Sequence, residues 1–417
     1  MTFGCVADDF TGATDLCSSL RRAGQRSVIV TDLGVAPSLL PPTDVVVVAL
    51  KSRAAARPAA VADSLAAGRW LRAAGAEQLY FKYCSTFDST PEGNIGPVLD
   101  ALLDELEARA TIVCPAHPEQ RRTIYQGHLF VGEALLADSP MAHHPINPMR
   151  DSSLLRLLGP QTRRRIGLLP HAEVDAGAAS LRGAFEKLAA EGVFYAVVDA
   201  VVERHLATIA EAFHDLPLLS GGAGVGAALG SFYARGRVGA ATSAGLPGPG
   251  PAVVLAGSSS LATRTQLAHL NGTVPLRTID AVALHDGSDD SVEVARWAAS
   301  NLGSKPVVVA ASASPERVAE TQRLLGAAAA SEAIERTLAE VACAVVAAGA
   351  RRLVVAGGET SAAIVRALGL RWLEVGDDVE PGVPWMRAGD RPSLMLALKS
   401  GNFGSPSFLE RAVAGAG

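Results

Sequence analysis

Short, β-branched apolar runs alternate along this chain with longer stretches whose apolar positions recur at helical spacing. Phe3 to Ala7, Ser27 to Val30, Val45 to Leu50, Gln78 to Lys82 and Thr111 to Cys114 read as buried strands. Between them Asp15 to Ala23, Pro58 to Ala74 and Ile95 to Ala110 read as helices, the first two closed by Gly24 and Gly75. Such alternation predicts parallel sheets covered by helices on both faces. From about Gln126 to Thr162 the pattern turns irregular, broken by Gly127, Pro140, Pro145 and Pro148. We read it as an insertion or active-site lobe ahead of a further strand at Phe194 to Asp199.

Residues 243–251 are rich in glycine and proline, which break both helix and strand, and they predict a linker between domains at 1–242 and 252–417. The second domain repeats the alternation: strand Ala252 to Ala256, helix Leu261 to Leu270, strand Pro306 to Ala311, a long helix from Ser331 to Ala348, and strand Arg352 to Ala356. The predicted fold class is α/β, with two domains, each a largely parallel sheet flanked by helices.

Composition narrows the function. With 417 residues, 49% of them hydrophobic and 19% charged, the chain has ample material for packed cores, which excludes a disordered or fibrous protein. The net charge of -5 arises from 37 basic and 42 acidic residues that interleave, so no electrostatic footprint for nucleic acid is expected. No run reaches the roughly 18 to 20 apolar residues of a membrane span. Asp8-Asp9 interrupts the first apolar stretch, which speaks against a signal peptide. Five scattered cysteines without CxxC spacing suggest neither zinc nor disulfides and fit a reducing cytoplasm. A small-molecule ligand is the expected partner, and a homo-oligomer is left open.

Ligands of open α/β sheets gather where strands end and helices begin. At the first such junction, Asp8 and Asp9 precede Thr11 and Gly12. Adjacent carboxylates there can bind a polyol, hold magnesium through water or accept a hydroxyl proton, and they serve equally well as an acidic helix start. At the second, Lys82, Ser85, Thr86 and Asp88 run toward Gly93-Asn94. One cation among hydroxyls and a carboxylate suits a carboxylated sugar, against the plainer reading of a capped loop. Arg121 and Arg122 could clamp an anion or form a solvated basic loop.

In the second half, Gly257-Ser258-Ser259-Ser260 and Gly357-Gly358-Glu359-Thr360 each follow a strand and precede a helix, where bare backbone amides and the helix dipole favour phosphate. Lys399 to Gly404 forms a third glycine-rich loop. The GxxxxGK[ST] loop and the protein-kinase HRD and DFG signatures are absent. Gly222 to Ala227 matches the degenerate GxGxxA dinucleotide pattern, but without a convincing preceding strand it reads as a helix start or packing contact. The nine histidines show no metal spacing, and His143-His144 beside Pro145 reads as a loop feature.

Taken in order, these segments resemble the four-carbon acid sugar kinase family over essentially the whole chain, most closely its members that phosphorylate 3-oxo-tetronates. Tyr125 to Phe130, His144 to Met149 and Pro381 to Trp385 add to the match. The resemblance implies an N-terminal domain for the acid sugar, a C-terminal domain for ATP and a ligand cleft that closes between them. It also implies magnesium on the phosphates and transfer to the 4-hydroxyl. Carried over by position, Ser258, Gly357, Gly358, Glu359, Thr360 and Gly401 contact ATP. In the mechanism we expect, Asp8 or Asp9 deprotonates the acceptor, with Thr11, Gly12, Lys82, Ser85, Thr86, Asp88 and Arg122 around the substrate. The chain departs from the family at Gln120-Arg121, where Asn-Gly is expected before Arg-Thr. A threonate or erythronate kinase, an oxidoreductase using NAD at the Gly222 stretch and a non-catalytic sugar-phosphate sensor are the alternatives.

Overall fold

A computed structural model describes residues 2–143, 147–235, 248 and 250–414. Most of the expected linker 243–251, together with His144 and Pro145, lies outside them. The chain divides into two compact units, Met1–Ala241 and Thr242–Gly417.

In the first unit the strands are β1 (Phe3–Ala7), β2 (Ser27–Val30), β3 (Val45–Ala49), β4 (Gln78–Lys82), β5 (Thr111–Val113), β6 (Arg122–Tyr125), β7 (His128–Val131), β8 (Ala134–Leu135), β9 (Arg165–Leu169), β10 (Val193–Val198) and β11 (Leu218–Gly221). A parallel sheet runs in the order β11-β4-β1-β3-β2, and a smaller parallel one in the order β5-β10-β9. Strands β1, β2 and β4 are buried along their whole length, as expected of apolar runs covered on both faces. Helices α1 (Phe10–Arg22), α2 (Arg57–Ala73) and α3 (Ile95–Glu105) accompany the sheet.

Three boundaries differ from expectation. α1 begins five residues before Asp15, because Asp9 caps it by accepting from the Gly12 N–H at 2.8 Å. α3 stops at Glu105, well short of Ala110, since Glu107 turns to φ 50°. The region read as irregular from Gln126 contains antiparallel pairing, with β6 and β7 joined by Gln126-Gly127, both at positive φ.

The second unit contains β12 (Ala252–Ala256), β13 (Leu276–Thr278), β14 (Val307–Ala310), β15 (Arg352–Ala356), β16 (Trp372–Glu380), β17 (Val383–Ala388) and β18 (Met395–Lys399). Its sheet runs β13-β14-β12-β15-β18 in parallel and ends in antiparallel β17 and β16. Val254, Val308, Val354, Trp385 and Phe408 meet in one core below it. The long helix starts at Ala327, four residues before Ser331, through a run of alanines that carries no capping signal. Among the described residues no helix is long and apolar enough to cross a membrane.

Candidate functional site

Register builds the first site. Ala7 pairs with Ala49 on one side and with Lys82 on the other, so β1, β3 and β4 end level with one another. The chain leaves β1 toward β2 and returns to the far side for β4, which puts the topological switch point between β1 and β4. The Asp8-Asp9 step and the Lys82–Asp88 loop face that crevice.

Arg53, just beyond β3, is the hub. Its Nε and Nη2 donate to Asp8 Oδ2 and Oδ1 at 2.9 Å each, a bidentate pair. Nη2 also stands 2.7 Å from Asp9 Oδ1, and Nη1 stands 3.6 Å from Asp88 Oδ2. Asn94 fixes the loop that presents it, donating from Nδ2 to the carbonyls of Ser52, Arg53 and Ala55 at 2.8, 3.3 and 2.8 Å. Asp88 in turn accepts from Asn147 Nδ2 at 2.8 Å.

The two aspartates differ. Burial pushes the Asp8 carboxyl above its usual pKa despite Arg53. Burial opposes the charge of Asp9 as well, but Arg53, Lys82 and the Gly12 N–H outweigh it and hold that pKa below the usual value. Asp8 is 3% exposed with both oxygens on Arg53, whereas the Asp9 side chain is 27% exposed and meets Arg53 and the Gly12 N–H through Oδ1. Asp9 is therefore the carboxylate able to meet a ligand.

Gly12 is required by space. A Cβ there would stand 2.4 Å from both Asp9 Oδ1 and Lys82 Nζ. Lys82 is 3% exposed, and among the described residues its ammonium is hydrogen-bonded to nothing; it acts on both aspartates through space. Thr86 is buried beside Cys84, with Sγ to Oγ1 at 3.1 Å, and Ser85 and Thr11 are half-buried. Arg122 is not drawn into the cluster: its Nη1 donates to the Gln120 carbonyl, and among the described residues its buried Nε has no hydrogen-bond partner. Gln120, where the family pattern is broken, reaches Asp15 Oδ1 at 3.3 Å.

The second unit repeats the logic. Ala256 pairs with Ala356, and Ala356 with Lys399, so the turns after β12, β15 and β18 stand side by side, with the switch point between β12 and β15. They interlock. Gly257 N and Ser258 N donate to the Ala356 carbonyl at 3.0 and 3.1 Å, and Gly357 N donates to Lys399 O at 3.0 Å. Gly357 has φ 131°, and a Cβ there would stand 2.8 Å from Thr360 Oγ1. A Cβ on Gly401 would stand 2.2 Å from Ser258 Oγ. Gly358 and Glu359 open the helix Gly358–Ala367. Three glycine-bearing turns and the N-termini of two ten-residue helices form a cradle suited to phosphate.

One expectation is corrected. A strand, β11, does precede Gly222, although it is too short to stand out in the sequence. The glycines behind it serve packing: Cβ atoms at 222, 224 and 226 would stand 2.7 Å from Pro115 O, 2.7 Å from Ala116 O and 2.5 Å from Leu16. Histidines without metal spacing also meet in space, as His171, Asp175 and His205 offer ligand atoms within 4.8 Å. His205 Nδ1, however, accepts from Val201 N–H, which leaves the proton on Nε2 facing Asp175, and Arg204 already pairs with Asp175 at 2.8 Å. Sequence reasoning missed Arg53, whose only signal was a basic residue just past a fully apolar strand.

Residues 3–229 match the family of the sugar-binding N-terminal domain and residues 253–409 that of the nucleotide-binding C-terminal domain. The chain is 48% identical to the 3-oxo-tetronate kinase of Burkholderia multivorans, covering 98% of this chain and 96% of that one. It is 47% identical to the 3-oxo-tetronate kinase of Cupriavidus necator at the same coverage. Among solved structures, a Salmonella typhimurium protein described as a candidate tRNA synthase superposes with TM-score 0.88 at 42% identity, over 99% of this chain and 98% of that one. A Haemophilus influenzae protein gives TM-score 0.82 at 41% identity, over 98% and 99%.

Proposed function

We propose that this chain, which belongs to the family pairing a sugar-binding N-terminal domain with a nucleotide-binding C-terminal domain, is an ATP-dependent kinase of a four-carbon acid sugar, a 3-oxo-tetronate, acting on its 4-hydroxyl. The observation that carries this reading is the Asp8-Asp9-Arg53-Lys82-Asp88 cluster at the switch point of the first unit, since it offers a carboxylate and an unbonded ammonium to a small anionic polyol. A tRNA synthase finds no support in a chain whose two halves match sugar-binding and nucleotide-binding domains.

Phosphoryl transfer asks for the acceptor hydroxyl in line with the γ-phosphate, cations to neutralise charge, and the exclusion of water. In our reading Asp9 orients the 4-hydroxyl and takes its proton. Asp8 and Arg53 keep Asp9 in place. Lys82 holds the substrate carboxylate, and Arg122, which stands outside the cluster, is given no part in it. Thr11, Ser85, Thr86 and Asp88 supply hydroxyls and a carboxylate around the polyol. Ser258, Gly357 to Thr360 and Gly401 receive the ATP phosphates. A magnesium ion would be held by phosphate oxygens and water, with at most one or two carboxylates of the chain. When bound it neutralises charge on those oxygens. A cytoplasmic setting fits both the ATP supply and five cysteines without a disulfide.

Phosphorus NMR of the product tests the acceptor position: a phosphomonoester on the terminal carbon is expected, and phosphate on any other oxygen would overturn it. Gly357→Ala should weaken ATP binding and lower stability by about 1–3 kcal/mol, because a side chain is strained at its φ and crowds Thr360, while acid-sugar affinity stays unchanged. Titration of each ligand and a thermal melt check this.

A further inference from the structure

Lys399, the last residue of β18, is 1% exposed, and burial alone lowers its pKa to about 8. Its ammonium donates to Thr263 Oγ1 at 3.1 Å and to the carbonyls of Ser400, Gly401 and Phe403 at 3.2, 3.0 and 3.1 Å. Four acceptors share three protons, and three of them belong to the loop that immediately follows. Thr263 and Ser260 also donate to the Gly401 carbonyl, at 2.9 and 2.6 Å, which clamps that loop onto the helix Leu261–Leu270.

The orientation of those carbonyls has a consequence. In a trans peptide the C=O and the next N–H point in opposite directions, and no peptide among the described residues is cis. Drawing the carbonyls of Ser400, Gly401 and Phe403 inward onto the ammonium therefore turns the N–H groups of Gly401, Asn402 and Gly404 away from it. None of those three N–H groups donates to another described residue. We propose that Lys399 is a positioning residue for the nucleotide: its buried ammonium never touches ATP, but it holds the loop with three free amides turned outward as an anion nest for the phosphates. This rests on the kinase reading only in naming ATP as the anion.

A neutral amine has one donor fewer and no charge to gather carbonyl dipoles, so the nest loosens as pH rises through the pKa of Lys399. The elements packed around it carry Arg352 on β15, Arg387 on β17, Arg264 and His269 on the helix Leu261–Leu270, and Glu359 and Arg366 on Gly358–Ala367, with Glu380 of β16 bonded to Ser405 beyond the loop; burial, and none of these groups, is the cause of its shift.

The test is calorimetric titration of ATP into the full chain at fixed magnesium, from about pH 7.5, where the nucleotide is fully ionised, to about pH 9.5. Wild-type affinity should fall through about pH 8. Lys399→Met should bind ATP about tenfold or more weakly at the lower pH, with no further pH step and unchanged acid-sugar affinity. Folded K399M with wild-type ATP affinity, or a flat wild-type profile, would overturn the proposal. The wild-type series needs no variant and so stays decisive if K399M does not fold. Because binding is read, a chain that binds ATP with this profile yet phosphorylates no acid sugar contradicts the kinase reading and leaves Lys399 in its role.

Discussion

Asp9→Asn lowers kcat by about 10²- to 10⁴-fold and leaves ATP affinity unchanged, the loss expected when a positioned general base is removed. The substitution is nearly isosteric, and Asn also caps helices, so its amide oxygen can still accept from Gly12 N–H. The variant therefore separates chemistry from structure: its melting temperature should stay close to wild type while turnover collapses. Asp8→Asn behaves differently, because Asp8 is buried against Arg53 with both oxygens engaged. It removes a carboxylate that anchors the guanidinium, and its effect appears in stability as well as in rate. Steady-state kinetics and melts on the two variants decide between the aspartates. An unchanged kcat in Asp9→Asn removes it from the role of base.

Arg53→Ala has the largest expected effect on stability, about 3–5 kcal/mol, because it strands Asp8, a carboxylate 3% exposed, without its cation. The pH dependence has a definite sign. With burial unopposed by Arg53, the folded pKa of Asp8 rises further above its unfolded value, so the folded state takes up a proton that the unfolded state does not. The deficit of the variant is thus greatest near neutral pH and shrinks as pH falls through that raised pKa. Combining Arg53→Met with Asp8→Asn removes both charges and should recover much of the stability while leaving the enzyme inactive. Denaturant melts across pH measure this, and a deficit independent of pH would exclude Asp8 as its cause.

The strands were legible because each is a short apolar run bounded by turn residues, and burial on both faces leaves little else for Val45 to Val48 or Val253 to Leu255 to do. Helix ends were less so. The start of α1 depends on Asp9 acting as a cap, and the same residue reads equally well as a ligand; the structure gives it both tasks. Arg53 was invisible because its importance comes from register. Only when Ala7 is set beside Ala49 and Lys82 does a lone arginine past β3 fall between three carboxylates. Lys399 was noticed as one more basic residue near glycines, but no pattern tells a lysine reaching outward to phosphate from one turned inward onto its own loop. The glycine turns themselves were readable, since Gly357 and Gly401 stand where a side chain has no room.

The measurement that bears most directly on the kinase assignment is ADP release by the full chain with ATP and magnesium across a panel of four-carbon acids, including 3-oxo-tetronates, threonate and erythronate. ADP should appear in step with a phosphorylated acid, fastest with a 3-oxo-tetronate, and the signal should vanish with Asp9→Asn. A folded chain that binds ATP and stays silent across the whole panel would contradict the assignment.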